Sequence, residues 1–195
     1  MTYGEQYIMP IVVDYMQQYP EVEIISELTN QPLDLVDGGY DLAIRLGRLT
    51  NSSMMAKRLT SRMQFVCAAP SYIAKYGSPY TLSELTQHNC LVGNYNHWYF
   101  TENGKSRSVR VSGSLVCSSG HTLLDAAKRG IGLIQLPGYY VDEAIESGEL
   151  QVLLQQYQEP KEGIWALYPH NRHLSPKVRL LVDMLAEKLP KSKYG

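Results

Sequence analysis

"IMPIVVDYMQQYPEVEIISELTNQPLDLVDGGYDLAIRLG", residues 8–47, sets the rhythm from which the fold is read. Ile8, Ile11, Val12, Tyr15, Met16 and Tyr19 recur at helical spacing and form one apolar stripe. Thr2 and Glu5 have the spacing of a capping box, Pro10 kinks the first turns or marks where the regular helix begins, and Pro20 ends it. "VEIISEL" (22–28) then reads as a strand. Pro32 opens a short helix that Gly38-Gly39 closes, and "YDLAIRLG" (40–47) is a second, mostly buried strand. Helix, strand, helix, strand is the order of a parallel sheet with crossover helices.

Beyond this stretch the pattern continues with a difference. "MQFVCAA" (63–69) reads as a strand, Pro70 starts a short helix ending at Gly77, and Thr81 with Glu84 repeats the capping-box spacing. Asn103-Gly104 lies between two alternating runs, the mark of an antiparallel hairpin. Helix is expected at 121–129, strand at 131–136, helix at 139–147 closed by Gly148, and strands at "LQVLL" and "GIWALYP". Ser175 caps a final helix with Pro176 at its first position and Val178, Leu181, Val182, Leu185 and Leu189 as its stripe. The class is α/β, in two lobes.

Composition narrows the function. The chain has 195 residues, 44% hydrophobic and 19% charged, with a formal net charge of −1. No Lys/Arg run is present to neutralise a phosphate backbone, which argues against nucleic-acid binding by this chain alone. Cys67, Cys90 and Cys117 are odd in number and far apart, so they build neither a disulfide framework nor a zinc spacing. Each lies in an apolar, strand-like stretch, the setting of a buried reduced thiol, and cytoplasmic localisation is expected. No apolar run is long enough for a spanning helix, and the N-terminus lacks the pattern of a secretory signal. Neither a membrane partner nor a cofactor is expected.

Five stretches carry a resemblance. "YGEQYIMPIVVDYMQQYPEVEI", "DLVDGGYDLAIRLGRLTNSSMMAKRL", "VCAAPSYIAKYGSP", "AAKRGIGLIQLPGYYV" and "LYPHNRHLSPKVRLLVDML" follow in order along nearly the whole chain. Together they resemble the effector-binding domain of LysR-type transcriptional regulators. The resemblance implies a type 2 periplasmic-binding-protein-like fold, with two α/β lobes joined by two crossover strands and an effector cleft between them. Lobe I would comprise residues 1–64 plus 167–195, and lobe II residues 65–166. It further implies a homodimer, a tetramer in a full-length parent, and DNA contact only through a winged helix-turn-helix that these residues do not include. A transport solute-binding protein and an enzyme on the same fold are the rival readings.

The candidate ligand contacts are polar groups at helix starts and strand ends. Ser118 and Ser119 precede a helix whose first N–H groups and dipole favour an anion. His121 stands beside them, and the resemblance puts this loop at the cleft; Gln135 lies on the strand that follows. A nucleophile–base reading of His121 fails because no GxSxG turn accompanies it and Asp125 lies one turn along the same helix. Gly130 and Gly132 follow the helix and so form no dinucleotide loop; Gly130 is a left-handed C-cap. Thr2, Tyr3, Thr29 and Asn30 fall at the helix start and strand end where open α/β sheets take ligands, with capping and turn chemistry as the plainer reading. Arg45, a charge in an apolar strand, needs either an internal carboxylate or an anionic effector. His170 and His173 lack a third ligand, so no metal is expected. Trp98, Tyr99 and Phe100 are assigned to core and hairpin packing.

Overall fold

A computed structural model describes residues 1–30, 35, 38–49, 54–169 and 175–189. The chain divides into two compact units, Met1–Arg62 with Glu162–Gly195, and Met63–Lys161. The sequence expectation moved to the second lobe at residue 65 and back at 167. Residues 162–166 instead belong with the first unit, because the strand Glu162–Pro169 pairs throughout with strands of that unit.

The first unit opens on a π-helical turn, Gly4–Ile8, that runs into α1, Met9–Gln18. The Met9 N–H reaches back to the Gly4 carbonyl, an i to i−5 bond. Pro10 explains the wide turn: it has no N–H to give and its ring crowds the carbonyl one turn back, so the chain widens there. Regular α-helix therefore begins at Met9. Thr2 is already helical and the Glu5 N–H is taken by the Met1 carbonyl (3.1 Å), so the expected Thr2/Glu5 capping box does not form. Ile8, Ile11, Val12 and Tyr15 are buried, while Met16 at the stripe's edge is 40% exposed.

Residues 22–28 correct the sequence reading. They form no ladder with any described residue, and Ile25 is 90% exposed. β-Branched, apolar composition proposes a strand, but only a partner for the backbone N–H and C=O groups makes one. The sheet is instead β1 (Ala43–Leu46), β8 (Glu162–Pro169) and β2 (Met54–Arg62) in the order β1-β8-β2, antiparallel at both seams. The expected parallel pairing is thus absent from the described strands of this unit. The short helix expected at Pro32 lies outside the described residues. α5, Pro176–Lys188, is capped by Ser175 Oγ accepting the Val178 N–H (3.3 Å) and buries Val182 and Leu185. Tyr15 ties it to α1 by donating its hydroxyl to the Lys177 carbonyl (2.8 Å).

The second unit follows the sequence closely. Its sheet is β6 (Ile134–Pro137), β3 (Gln64–Ala68) and β7 (Gln151–Leu153), again antiparallel. Beside it stands the hairpin β4 (His97–Glu102) and β5 (Lys105–Arg110). Asn103 and Gly104 both have positive φ (52° and 73°), the geometry that lets a two-residue turn match the strand twist. α2 (Pro70–Tyr76), α3 (Gly120–Lys128) and α4 (Gly138–Glu146) complete the unit. Trp98 and Phe100 join Tyr72, Leu85, Cys90 and Leu133 in its core, while Tyr99 is 44% exposed. Gly130 has φ +73°, as a left-handed C-cap requires.

Candidate functional site

The segment leading to α3 is fixed before the helix starts. Val92 donates its N–H to the Leu115 carbonyl and Cys117 donates to the Val92 carbonyl, both at 2.9 Å, so residues 115–117 run beside Val92 as a short parallel bridge. The chain then turns, and Ser119 Oγ accepts the Thr122 N–H at 3.3 Å as the N-cap. The amides of Gly120 and His121 have no acceptor within the helix, because the first turn never does. Their N–H groups and the helix dipole give this end a positive partial charge. The Ser118 side chain beside them is exposed.

A Cβ on Gly120 would lie 2.4 Å from the Tyr140 ring. The glycine is thus what lets Tyr140 of α4 close on the start of α3. The His121 ring meets Tyr140 edge to face, with centroids 5.0 Å apart. Tyr140 was not anticipated from the sequence; its signal was the helix-opening glycine, which becomes meaningful only once α3 and α4 are packed. Asp125 pairs with Arg129 (3.0 Å) along the exposed face of α3.

Gln135 has a different task. Its Oε1 accepts the Tyr99 N–H (3.2 Å) and its Nε2 donates to the Tyr99 carbonyl (2.9 Å). A side-chain amide thereby takes the place of a neighbouring strand along β4, joining the hairpin to β6. That structural use separates Gln135 from the group at the start of α3.

Within the first unit, residues 1–4 and 28–30 come together. The Met1 amine donates to Asn30 Oδ1 (2.9 Å), and a Cβ on Gly4 would lie 2.8 Å from the Leu28 side chain. Thr2 and Thr29 are half-buried and Asn30 is exposed, whereas Tyr3 is buried and stacks on Tyr7 with centroids 4.8 Å apart. Tyr3 therefore contributes mainly to packing. Arg45 on β1 lies opposite Trp165 of β8, and Arg58 of β2 lies opposite the same tryptophan from the other side. Arg58 sits over the Trp165 ring at 5.9 Å. Cross-strand neighbours share a face, so the row is arginine, indole, arginine. No carboxylate among the described residues pairs with Arg45. Nor do the described residues contain a cluster of three His, Cys, Asp or Glu side chains able to hold a metal. His170 and His173 lie outside the described residues.

Two α/β units, the first taking up both ends of the chain, define the class to which the comparisons add a family. The LysR substrate binding domain family matches residues 1–190. The chain is 34% identical over 189 residues to the HTH-type transcriptional activator TtdR of Escherichia coli, covering 94% of this chain and 61% of that protein. It thus spans about three-fifths of the length of such relatives. Among solved structures, the full-length virulence activator AphB of Vibrio cholerae aligns with a TM-score of 0.79 at 26% identity, over 96% of this chain and 65% of that one. The regulatory domain of CrgA from Neisseria meningitidis aligns with a TM-score of 0.77 at 26% identity, over 97% of this chain and 95% of that one.

This chain belongs to the LysR substrate-binding domain family, whose fold is the type 2 periplasmic-binding-protein-like α/β fold. Its relatives are transcriptional regulators rather than enzymes. Among the described residues no helix is long and apolar enough to cross a membrane.

Proposed function

We propose that this chain is the ligand-sensing part of a cytoplasmic LysR-type regulator and that it binds a small anionic or polar effector without transforming it. The two units correspond to the two lobes of that family's fold. In this reading Ser118, Ser119 and His121 meet the effector's acidic group at the start of α3, with Tyr140 as a wall. Thr2, Thr29 and Asn30 meet it from the other lobe, and Tyr3 holds that corner in shape. Arg45 supplies a further positive charge, and Gln135 serves by holding the hairpin beside β6. The observation that carries the reading is the start of α3, where uncommitted helix amides, two serines and an aromatic pair lie together in a member of a ligand-binding family.

An effector shifts a regulator only through unequal affinity for two arrangements of the protein. The reading therefore places the two contact groups on different lobes and sends the change to a DNA-binding domain in the same parent. A homodimer of this domain, and a tetramer of the parent, are part of the proposal.

The test is a thermal-shift screen of aromatic and aliphatic carboxylates, widened to amino acids and sugars. A ligand at a hundred times its dissociation constant stabilises by about 2.7 kcal/mol. At least one compound should raise the melting temperature and be recovered unchanged. A silent screen, or turnover of the compound that binds, contradicts the proposal.

A further inference from the structure

Asn89 joins three parts of the second unit. Its Oδ1 accepts the Ser114 N–H (2.7 Å), and its Nδ2 donates to Ser114 Oγ (2.9 Å) and to the Ile131 carbonyl (2.7 Å). Its own carbonyl accepts the Leu133 N–H (2.9 Å). Ser114 precedes α3 and Ile131 follows it, so one amide fixes the chain on both sides of that helix. The neighbouring backbone leaves no slack. A Cβ on Gly113 would lie 2.6 Å from Asn89 Oδ1 and 2.2 Å from the Cys90 carbonyl oxygen, and one on Gly132 would lie 2.3 Å from the Asn89 carbonyl oxygen.

The Asn89 N–H donates to Tyr72 Oη (3.0 Å), and Tyr72 Oη lies 3.2 Å from His88 Nδ1. A hydroxyl has one proton. Among the described residues the acceptor within reach of that proton is His88 Nδ1, which takes it in the tautomer that carries its lone pair there. Protonated His88 has none to offer, and the Tyr72 proton, on a side chain only 3% exposed, loses its acceptor. We propose that His88 is a proton-sensitive latch, acting through Tyr72 and Asn89 on the placement of the segments that flank α3.

The groups facing His88 agree with this. Burial holds its pKa below the ordinary 6.5, with Glu84 of its own 3-10 turn (Leu82–Gln87) drawing it the other way. Glu84 accepts the Tyr80 N–H (2.9 Å) and the Thr81 hydroxyl (2.8 Å), which hold its carboxyl below the usual value and keep it charged while His88 titrates. From α2 the facing group is Tyr72, with Tyr76 against its ring at 4.8 Å. The Cys90 thiol is turned to the Leu85 carbonyl (3.6 Å). Folding favours neutral His88, while the unfolded chain takes up a proton as pH falls through 6.5. Stability is therefore complete above that pH and declines below it.

The experiment is an NMR titration of the full chain from about pH 7.5 to 5.5, spanning the ordinary histidine value, with melting temperatures over the same range. His88 should be the Nε2-protonated tautomer at neutral pH, and the Ser114 amide resonance should move with the His88 titration. In H88N the side-chain oxygen accepts from Tyr72 without titrating. That variant should keep its melting temperature at neutral pH, lose the acid-side decline attributable to His88, and leave Ser114 unmoved. In Tyr72→Phe, titration of His88 should no longer move Ser114. A Ser114 resonance that ignores His88 in the native chain, or the same acid-side decline in H88N, overturns the proposal. No ligand enters these measurements, so their failure and that of the effector reading are distinguishable.

Discussion

At the scale of single residues, the three cysteines show how far burial decides chemistry. Cys67 and Cys90 are fully buried, and burial pushes both thiols up to about 12. The thiolate is the form that attacks a thiol reagent, so both should be inert in the folded protein at pH 8. Cys117 is partly exposed. Brief maleimide treatment followed by mass spectrometry should label Cys117 first and modify all three only after denaturation; labelling of Cys67 at a comparable rate would contradict the packing of β3. The apolar runs around Cys67 and Cys90 made their burial legible. Cys117 sits in an equally apolar run, but there the described residues form only a lone bridge, Val116 to Val92. Arg45 is similar: its oddity in an apolar strand was visible, whereas Trp165 opposite it and Arg58 on the far side of that tryptophan come from distant segments joined only by the register of β8.

Elements whose signals are local were read well. Asn103-Gly104, Pro70, Ser175-Pro176 and Gly130 each act through their own φ or their own hydrogen bond, and each stands where the sequence put it. Residues 22–28 failed because a strand depends on a partner, which no local pattern supplies. In the opening helix Pro10 marks where the regular turns begin, as its position implied, and only the Thr2/Glu5 capping box did not form, because the chain is already helical there. The two serine caps allow a controlled comparison. Ser119→Ala and Ser175→Ala should each lower stability by about 1 kcal/mol in chemical denaturation. Only Ser119→Ala should also weaken effector binding, since only it stands at the proposed contact. Equal affinity in both variants would remove Ser119 from the site while leaving its capping role intact.

For the whole molecule, the division into two units was foreshadowed by the hairpin-bearing middle segment and by a last helix whose stripe needs α1 to cover it. The position of the second crossing was less accessible, because β8 is one uninterrupted strand and only its pairing from Glu162 onward assigns it to the first unit. Arg62 and Glu162 meet at 2.9 Å, with side chains only 18% and 14% exposed, where the chain leaves and re-enters that unit. Which compound the proposed site would take depends on side chains from separated segments, and that was not legible in the sequence beyond the expectation of an anionic or polar effector.

The proposed effector contacts fall in two segments far apart in the sequence, one in each unit. Hydrogen exchange with and without a compound from the thermal-shift screen tests that claim most directly. The predicted result is slowed exchange in two separated segments, residues 115–122 at the start of α3 and residues 2–4 with 28–30 in the other unit. Protection confined to one of these segments, or found only elsewhere in the chain, would contradict it.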